Sequence, residues 1–375
     1  MSRIYFDNAA TTSLDPEVLE AMMPYLTEHF GNPSSIYSYG REVRMAVEQS
    51  RKTVARLLNA HPAEIFFTSG GTESTNTAIS AAVHDLECRH IITSPLEHHA
   101  TLHTVEYYQT KGLVSLHFVK LLPDGHIDLA DLERLLSSLK GKTLVTLMHA
   151  NNEIGNLLDL EAVAAICAKY HAIFHSDTVQ TVGHYPFDLR NTAIHFINAA
   201  SHKFHGPKGV GLLYVNENVK IKPLIHGGSQ ERNMRAGTEN VYGIVGFAKA
   251  LELAIQRMET EQKQIGEIKS YMAARLRGTI PAVKFNGDAF GRSLYTILSA
   301  SFPRSEKSEM LLFNLDINHI CASGGSACTS GVEQQSHVIR AVYPDEQRVT
   351  VRFSFNSKNT KEEVDRVVEK LKELI

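Results

Sequence analysis

The chain has 375 residues, is 43% hydrophobic, and carries 38 Lys+Arg against 41 Asp+Glu, a net charge of −3. That length supports a large core split into two lobes, and the near-even charge argues against a general binder of nucleic acid or anionic membrane, which carries a basic excess. The Met1–Asp7 start lacks a signal-peptide apolar run, no stretch is long enough to span a bilayer, and the cysteines (Cys88, Cys167, Cys321, Cys328) form no C-x-x-C pair, which together point to a reduced, cytoplasmic setting.

In chain order, Asp15-Pro16-Glu17 predicts a helix start, with an N-cap aspartate, proline at the first helical position and an acidic first turn. A second helix is predicted over Arg41–Leu58. Apolar runs then recur at Ile65–Thr68, His90–Thr93, Leu116–Val119, Leu144–Met148, Ile173–Ser176, Phe196–Ala199 and Val210–Val215. Most are separated by amphipathic segments such as Leu129–Leu139 and Leu160–Tyr170, so the pattern implies an α/β layered domain around a mainly parallel sheet. Past Val215 a Gly-rich stretch, His226–Gly237, leads into a long helical run from Val241 to Arg277. Short strands follow at Tyr295–Ser299 and Val349–Phe355, and Thr360-Lys361-Glu362-Glu363 reads as a capping box opening a final helix. This second part predicts a smaller α+β domain packed on the first.

Three segments carry chemistry on their own terms. Thr68-Ser69-Gly70-Gly71-Thr72-Glu73-Ser74 follows a strand and opens a helix, where backbone N–H groups and the positive helix end can hold a phosphate, or where a plain tight turn would also suffice. No G-x-G-x-x-G follows a strand, and Gly141-Lys142-Thr143 lacks the upstream glycine of a P-loop because Leu136 stands there. Lys203, in Ser201-His202-Lys203-Phe204-His205-Gly206-Pro207-Lys208-Gly209, sits just past a strand end, where a desolvated amine could form a Schiff base; most lysines are simply solvated. Asp177, in Ser176-Asp177-Thr178-Val179-Gln180, is placed either to hold a pyridine nitrogen protonated or to cap a helix.

Together these segments resemble the class V aminotransferase group of fold-type I pyridoxal-phosphate (PLP) enzymes, and specifically the NifS/IscS-like group I cysteine desulfurases. The resemblance runs through Tyr5-Phe6-Asp7-Asn8-Ala9-Ala10-Thr11-Thr12, Phe30-Gly31-Asn32-Pro33-Ser34-Ser35, the Gly-Gly turn, Glu97-His98 and Asn151-Asn152-Glu153-Ile154-Gly155. It continues through His202-Lys203, Arg235-Ala236-Gly237-Thr238, Ser323-Gly324-Gly325-Ser326-Ala327-Cys328 and Val351-Arg352-Phe353-Ser354. It implies a PLP-dependent transferase of fold type I: a large domain over residues 15–255 with a mainly parallel mixed sheet, and a smaller α+β domain from 1–14 and 256–375 that carries the cysteine loop.

By the same resemblance, Lys203 is the Schiff-base lysine and shuttles the α-proton, Asp177 pairs with the pyridine nitrogen, Gln180 with the ring's phenolic oxygen, and His98 stacks over the ring and assists proton transfer. Gly71, Thr72 and His202 bind the phosphate, with Thr238 reaching it from the partner of a homodimer. Arg352 clamps the substrate carboxylate, and Asn152 and Asn32 line the pocket. Cys328, in a small-residue run that cannot pack a core, takes sulfur from L-cysteine as a persulfide and passes it to an acceptor protein for iron–sulfur clusters, a thio-cofactor or thiolated tRNA. Cys88 and Cys167, in helix-like stretches, and Cys321, in an apolar run, read as structural. The crowding of His98, His99 and His103 could suggest a metal, and His99 and His103 stand at i, i+4, but no carboxylate pattern follows, so none is expected.

The sequence departs from the pattern at Ala200, where many relatives have a phosphate-binding serine; Ser201 is the neighbouring candidate, facing the other way in an extended chain. Tyr37 stands where a histidine is common, and the chain ends at Ile375, short of the extension by which longer relatives dock a scaffold. Selenocysteine lyase, another class V aminotransferase, or a non-catalytic sulfur carrier or scaffold stay open as alternatives.

Overall fold

The computed structural model describes residues 3–305, 308–324 and 336–375. Cys328 and the expectation of a loop around it lie outside the described residues. Strand β1 (Ile4–Tyr5) opens the chain, followed by helices α1 (Pro16–Thr27) and α2 (Ser38–Leu57). Asp15 caps α1 through Glu17 N (2.9 Å), and Pro16 stands at the start of the helix. Alternation then begins: β2 (Ile65–Thr68), α3 (Gly71–His84), β3 (His90–Thr93), α4 (His99–Thr110), β4 (Ser115–Phe118), α5 (Leu129–Ser138), β5 (Thr143–Thr146), α6 (Leu160–Lys169), β6 (Ile173–Asp177), β7 (Phe196–Ala200) and β8 (Gly211–Val215). After the short α7 (Gln230–Asn233) comes the 39-residue α8 (Val241–Thr279), capped by Asn240. The rest comprises β9 (Lys284–Phe285), β10 (Ile297–Pro303), α9 (Leu311–Ile317), β11 (Ile320–Cys321), α10 (His337–Val342), β12 (Arg348–Ser354) and α11 (Lys361–Leu374).

Seven strands form one mixed sheet in the order β2-β8-β7-β6-β5-β3-β4. Neighbours from β7 to β4 pair in parallel, while β8 pairs antiparallel to both β2 and β7, so β8 alone runs against the rest. The middle strands are buried along their whole length, as strands covered by helices on both faces must be. A second sheet, β12-β10-β9, is antiparallel, and β1 pairs with β11.

Two apolar cores are the largest among the described residues. One gathers α1, α2, the large sheet and the first part of α8 through Val18, Val47, Phe174, Ile197 and Leu251. The other joins Ile4 and Phe6 to Met272, Leu298, Phe353 and Val367. Helix α8 contributes to both, so the two are built around one continuous rod. Thr360 and Glu363 form the reciprocal capping box at the start of α11. Cys167 lies buried in α6, whereas Cys88 falls in the turn after α3 rather than in a helix. That turn is closed by Cys88 N donating to Ala82 O (2.8 Å), and burial in apolar surroundings pushes the Cys88 thiol up to about 11. Among the described residues no helix is long and apolar enough to cross a membrane.

Candidate active site

In an open α/β sheet, loops leaving the carboxyl ends of the strands converge on one crevice. Here they do so around a cavity of about 300 Å³. Gly71 and Thr72 follow β2, His98 follows β3, Met148, Asn152 and Glu153 follow β5, Asp177 and Gln180 end β6, and Ala200, His202 and Lys203 end β7. Ala9 and Ala10 from the N-terminal segment, Arg352 from β12 and His337 from α10 close it.

The residues fit a phosphorylated pyridine. At one wall the N-terminus of the 14-residue α3 meets the cavity with Gly70 as its first cap and no described side chain bonded there. Its first N–H groups have no intrahelical partner and suit an anion. Gly71 lets the backbone approach: a Cβ there would lie 2.7 Å from Val179 Cγ2. His202 stands at the same cavity, its Nδ1 3.1 Å from Thr11 Oγ1, and burial beside Lys203 and Lys208 lowers its pKa to about 4.

Lys203 Nζ donates to the carbonyls of Ala9 (2.6 Å) and Ala10 (2.9 Å), which neutralise no charge. Burial, with the Arg352 guanidinium adding to it, lowers the amine to about 8 against the pull of Asp177 and Asp7. A lysine so placed offers a free amine near neutral pH, the form that condenses with an aldehyde. Asp177 Oδ1 accepts from Val179 N (3.0 Å); burial raises this carboxyl, with His98 and Lys203 opposing. A protonated ring nitrogen is the cation that would return it to its ionised form. Gln180 Nε2 donates to Ala9 O (3.1 Å).

His98 is the N-cap of α4, its Nδ1 accepting from Ala100 N (3.1 Å). That bond fixes the proton of the neutral ring on Nε2, and burial lowers its pKa despite Asp177. Arg352 is 3% exposed; it donates to Asn152 O (2.8 Å) and Asp7 Oδ1 (2.7 Å), while its Nε is buried with no partner among the described residues. A guanidinium held at the cavity wall suits an incoming carboxylate.

Not every residue singled out by the sequence meets here. Ser201 does not line the cavity. It is wholly buried, with its hydroxyl packed toward Gly206, where any Cβ would collide with Oγ, because the chain turns into a short 3₁₀ segment after β7. Thr238 lies in a separate cleft with Thr68, Ser69 and Arg235, and Asn32 is exposed, its Oδ1 accepting from Ser34 N (2.9 Å). Sequence reasoning missed Met148 and His337; nothing in Leu147-Met148-His149 or Ser336-His337-Val338 marks them. His99 and His103 stack at 4.8 Å, and among the described residues no cluster could hold a metal ion.

The family model for aminotransferase class-V matches residues 4–367. A Dictyoglomus turgidum protein named cysteine desulfurase IscS is 42% identical over 98% of this chain and 95% of its own length. A solved NifS-like protein superposes with a TM-score of 0.91 at 37% identity, covering 99% of this chain and 98% of that one. A structure titled SspA in complex with cysteine gives a TM-score of 0.81 at 28% identity over 95% of this chain and 100% of that one.

Proposed function

The chain belongs to the class V aminotransferase family, and from that premise we propose that it is a PLP-dependent cysteine desulfurase that converts L-cysteine to L-alanine and holds the sulfur as a persulfide on Cys328. The fold is that of fold-type I PLP enzymes. The observation that carries the reading is Lys203, lowered to about 8, lining one cavity with Asp177 and Arg352. Full-length relatives named cysteine desulfurase support the substrate.

Lys203 would hold PLP through a Schiff base, Gly71, Thr72 and His202 its phosphate, Asp177 its ring nitrogen and Gln180 its phenolic oxygen, with His98 over its face. Bound there, PLP supplies the sink for the electron pair left when the α-proton departs. Arg352 fixes the substrate carboxylate and Asn152 borders the same space. Lys203, with its amine free, would take the α-proton and return it to the α-carbon before alanine leaves. The Cys328 thiolate attacks the substrate sulfur: an S–S bond forms, the Cβ–S bond breaks, and its electron pair stays on the β-carbon, which is protonated to give alanine.

Chain length permits this approach. Ser323 pairs with Arg352 across a bridge, and the Ser336 hydroxyl donates to Glu153 Oε2. Cys328 is five residues from Ser323, so its tether spans at most about 17 Å from a residue that touches the cavity wall.

We assign the homodimer, with Thr238 completing the phosphate site of the partner, and a sulfur-acceptor protein to the same reading. Incubation with L-cysteine should yield alanine in step with sulfide when a thiol reductant is present. Cys328→Ser should lower alanine formation at least a hundredfold while the yellow, borohydride-sensitive colour stays. Sulfur release at the parent rate in that variant would dismiss the persulfide.

A further inference from the structure

We propose that His337 is a catalytic residue of this site, its Nδ1 receiving the proton of the substrate thiol as the sulfur leaves. The inference rests on the desulfurase reading and adds to it the group that recognises the thiol.

Four imidazoles line the cavity: His98, His99, His202 and His337. Two of them are already engaged. His98 spends Nδ1 on Ala100 N, which leaves it an N–H to offer, and the His202 Nδ1 is taken by the Thr11 hydroxyl. His99 lies parallel against His103. His337 differs in that its Nε2 lies 3.0 Å from the backbone oxygen of Glu97. A carbonyl can only accept, so the proton of the neutral ring is on Nε2 and the lone pair is on Nδ1. That Nδ1 is buried and has no partner among the described residues.

A buried acceptor without a donor costs about 1–3 kcal/mol, a cost that a donor reaching it would remove. The ring is held for that purpose. Its centroid is 4.7 Å from that of His99, and Ser336, the cap of α10, is anchored on the buried Glu153 carboxyl. The surroundings keep the base free. Burial lowers the His337 pKa, and Arg340 on its own helix with His98 and His103 across from it act in the same direction, against the bond to Glu97. His337 is therefore neutral at pH 7.

With the substrate carboxylate at Arg352 and its amine directed to Lys203, the side chain is the remaining end. A thiol is the weak donor that an imidazole lone pair matches in acidity. The step balances without any external oxidant or reductant. The Cys328 thiolate forms the S–S bond; the Cβ–S bond breaks with its pair left on carbon; the proton of the departing sulfur moves to His337 Nδ1. The imidazolium then gives that proton to the β-carbon, so the products are a persulfide anion and alanine.

The test is binding rather than turnover. In holoenzyme carrying Cys328→Ser, which cannot take the sulfur, the dissociation constants of L-cysteine and L-alanine are read from the change in cofactor absorbance. L-Cysteine is expected to bind about tenfold more tightly, the worth of one hydrogen bond. Adding His337→Phe, which keeps the ring against His99 but removes both nitrogens, should bring the ratio near one. His337→Leu, which offers neither nitrogen nor ring, should do the same. An unchanged ratio in either double variant overturns the inference and leaves the desulfurase reading intact. Failure of the parent enzyme to form alanine from cysteine would sink that reading instead.

Discussion

Lys203 shows how burial sets the chemistry of one atom. Its folded-state pKa of about 8 lies below the ordinary lysine value of 10.5. Between those values the unfolded chain binds the proton that the folded chain has released, so this group makes stability rise with pH across that window. Below pH 8 a charged amine is held in the cavity at a cost. Lys203→Met should therefore stabilise the cofactor-free protein most below pH 8, with the gain shrinking as pH climbs towards 10.5. Urea unfolding at several pH values reads this directly, and a difference that stays flat would show that burial is not what lowers the amine. Residues of this kind were legible in the sequence where several family segments coincided: Gly71, Thr72, His98, Asn152, Asp177, Gln180, His202, Lys203 and Arg352 all line one cavity. His337 was not legible, because its role depends on a carbonyl 240 positions away that no local pattern encodes. Ser201 misled for the opposite reason: it has the right chemistry one residue from the right place, and a turn aims it at Gly206.

Helix α3 turns a loop into an anion site, and its geometry leaves little room for change. The Cβ of Gly71→Ala would lie 2.7 Å from Val179 Cγ2, and a β-branched neighbour has few rotamers with which to retreat. The substitution should cost about 1–3 kcal/mol of stability and weaken cofactor binding by roughly tenfold, as the N-terminal N–H groups are pushed off the phosphate. Titration of the cofactor-free variant with PLP measures the second effect; unaltered affinity would mean that this helix end is not the phosphate cradle. The large-sheet strands were foreseeable to within a few residues, because apolar runs bounded by turn residues belong to strands buried on both faces. Strands β1 and β11, two residues each, were not, since they exist only through their pairing with each other across more than 300 residues. The same holds for α9 and α10, too short for any periodicity to stand out.

At the scale of the whole molecule, the cavity draws residues from the N-terminal segment, the large sheet and β12, but not Thr238, which faces a different cleft of its own chain. If a second copy supplies that threonine, Thr238→Ala and Lys203→Ala chains should complement each other. In a mixed dimer the chain with intact Lys203 would receive an intact Thr238, giving one full-strength site of two. Sulfur release per mixed dimer should approach half that of the parent, well above either variant alone. Activity no better than the Thr238→Ala homodimer would place the threonine's action within its own chain.

The continuous α8 carries a consequence for recombination between relatives. Its buried positions fall into an early set ending near Met258 and a later set resuming at Ile265, with Glu259–Gln264 between them free of fully buried side chains. A hybrid whose crossover falls in that interval would inherit each apolar centre from a single parent and need only keep the register of one rod. A seam placed a turn or two to either side would split a set of packed neighbours between two ancestries.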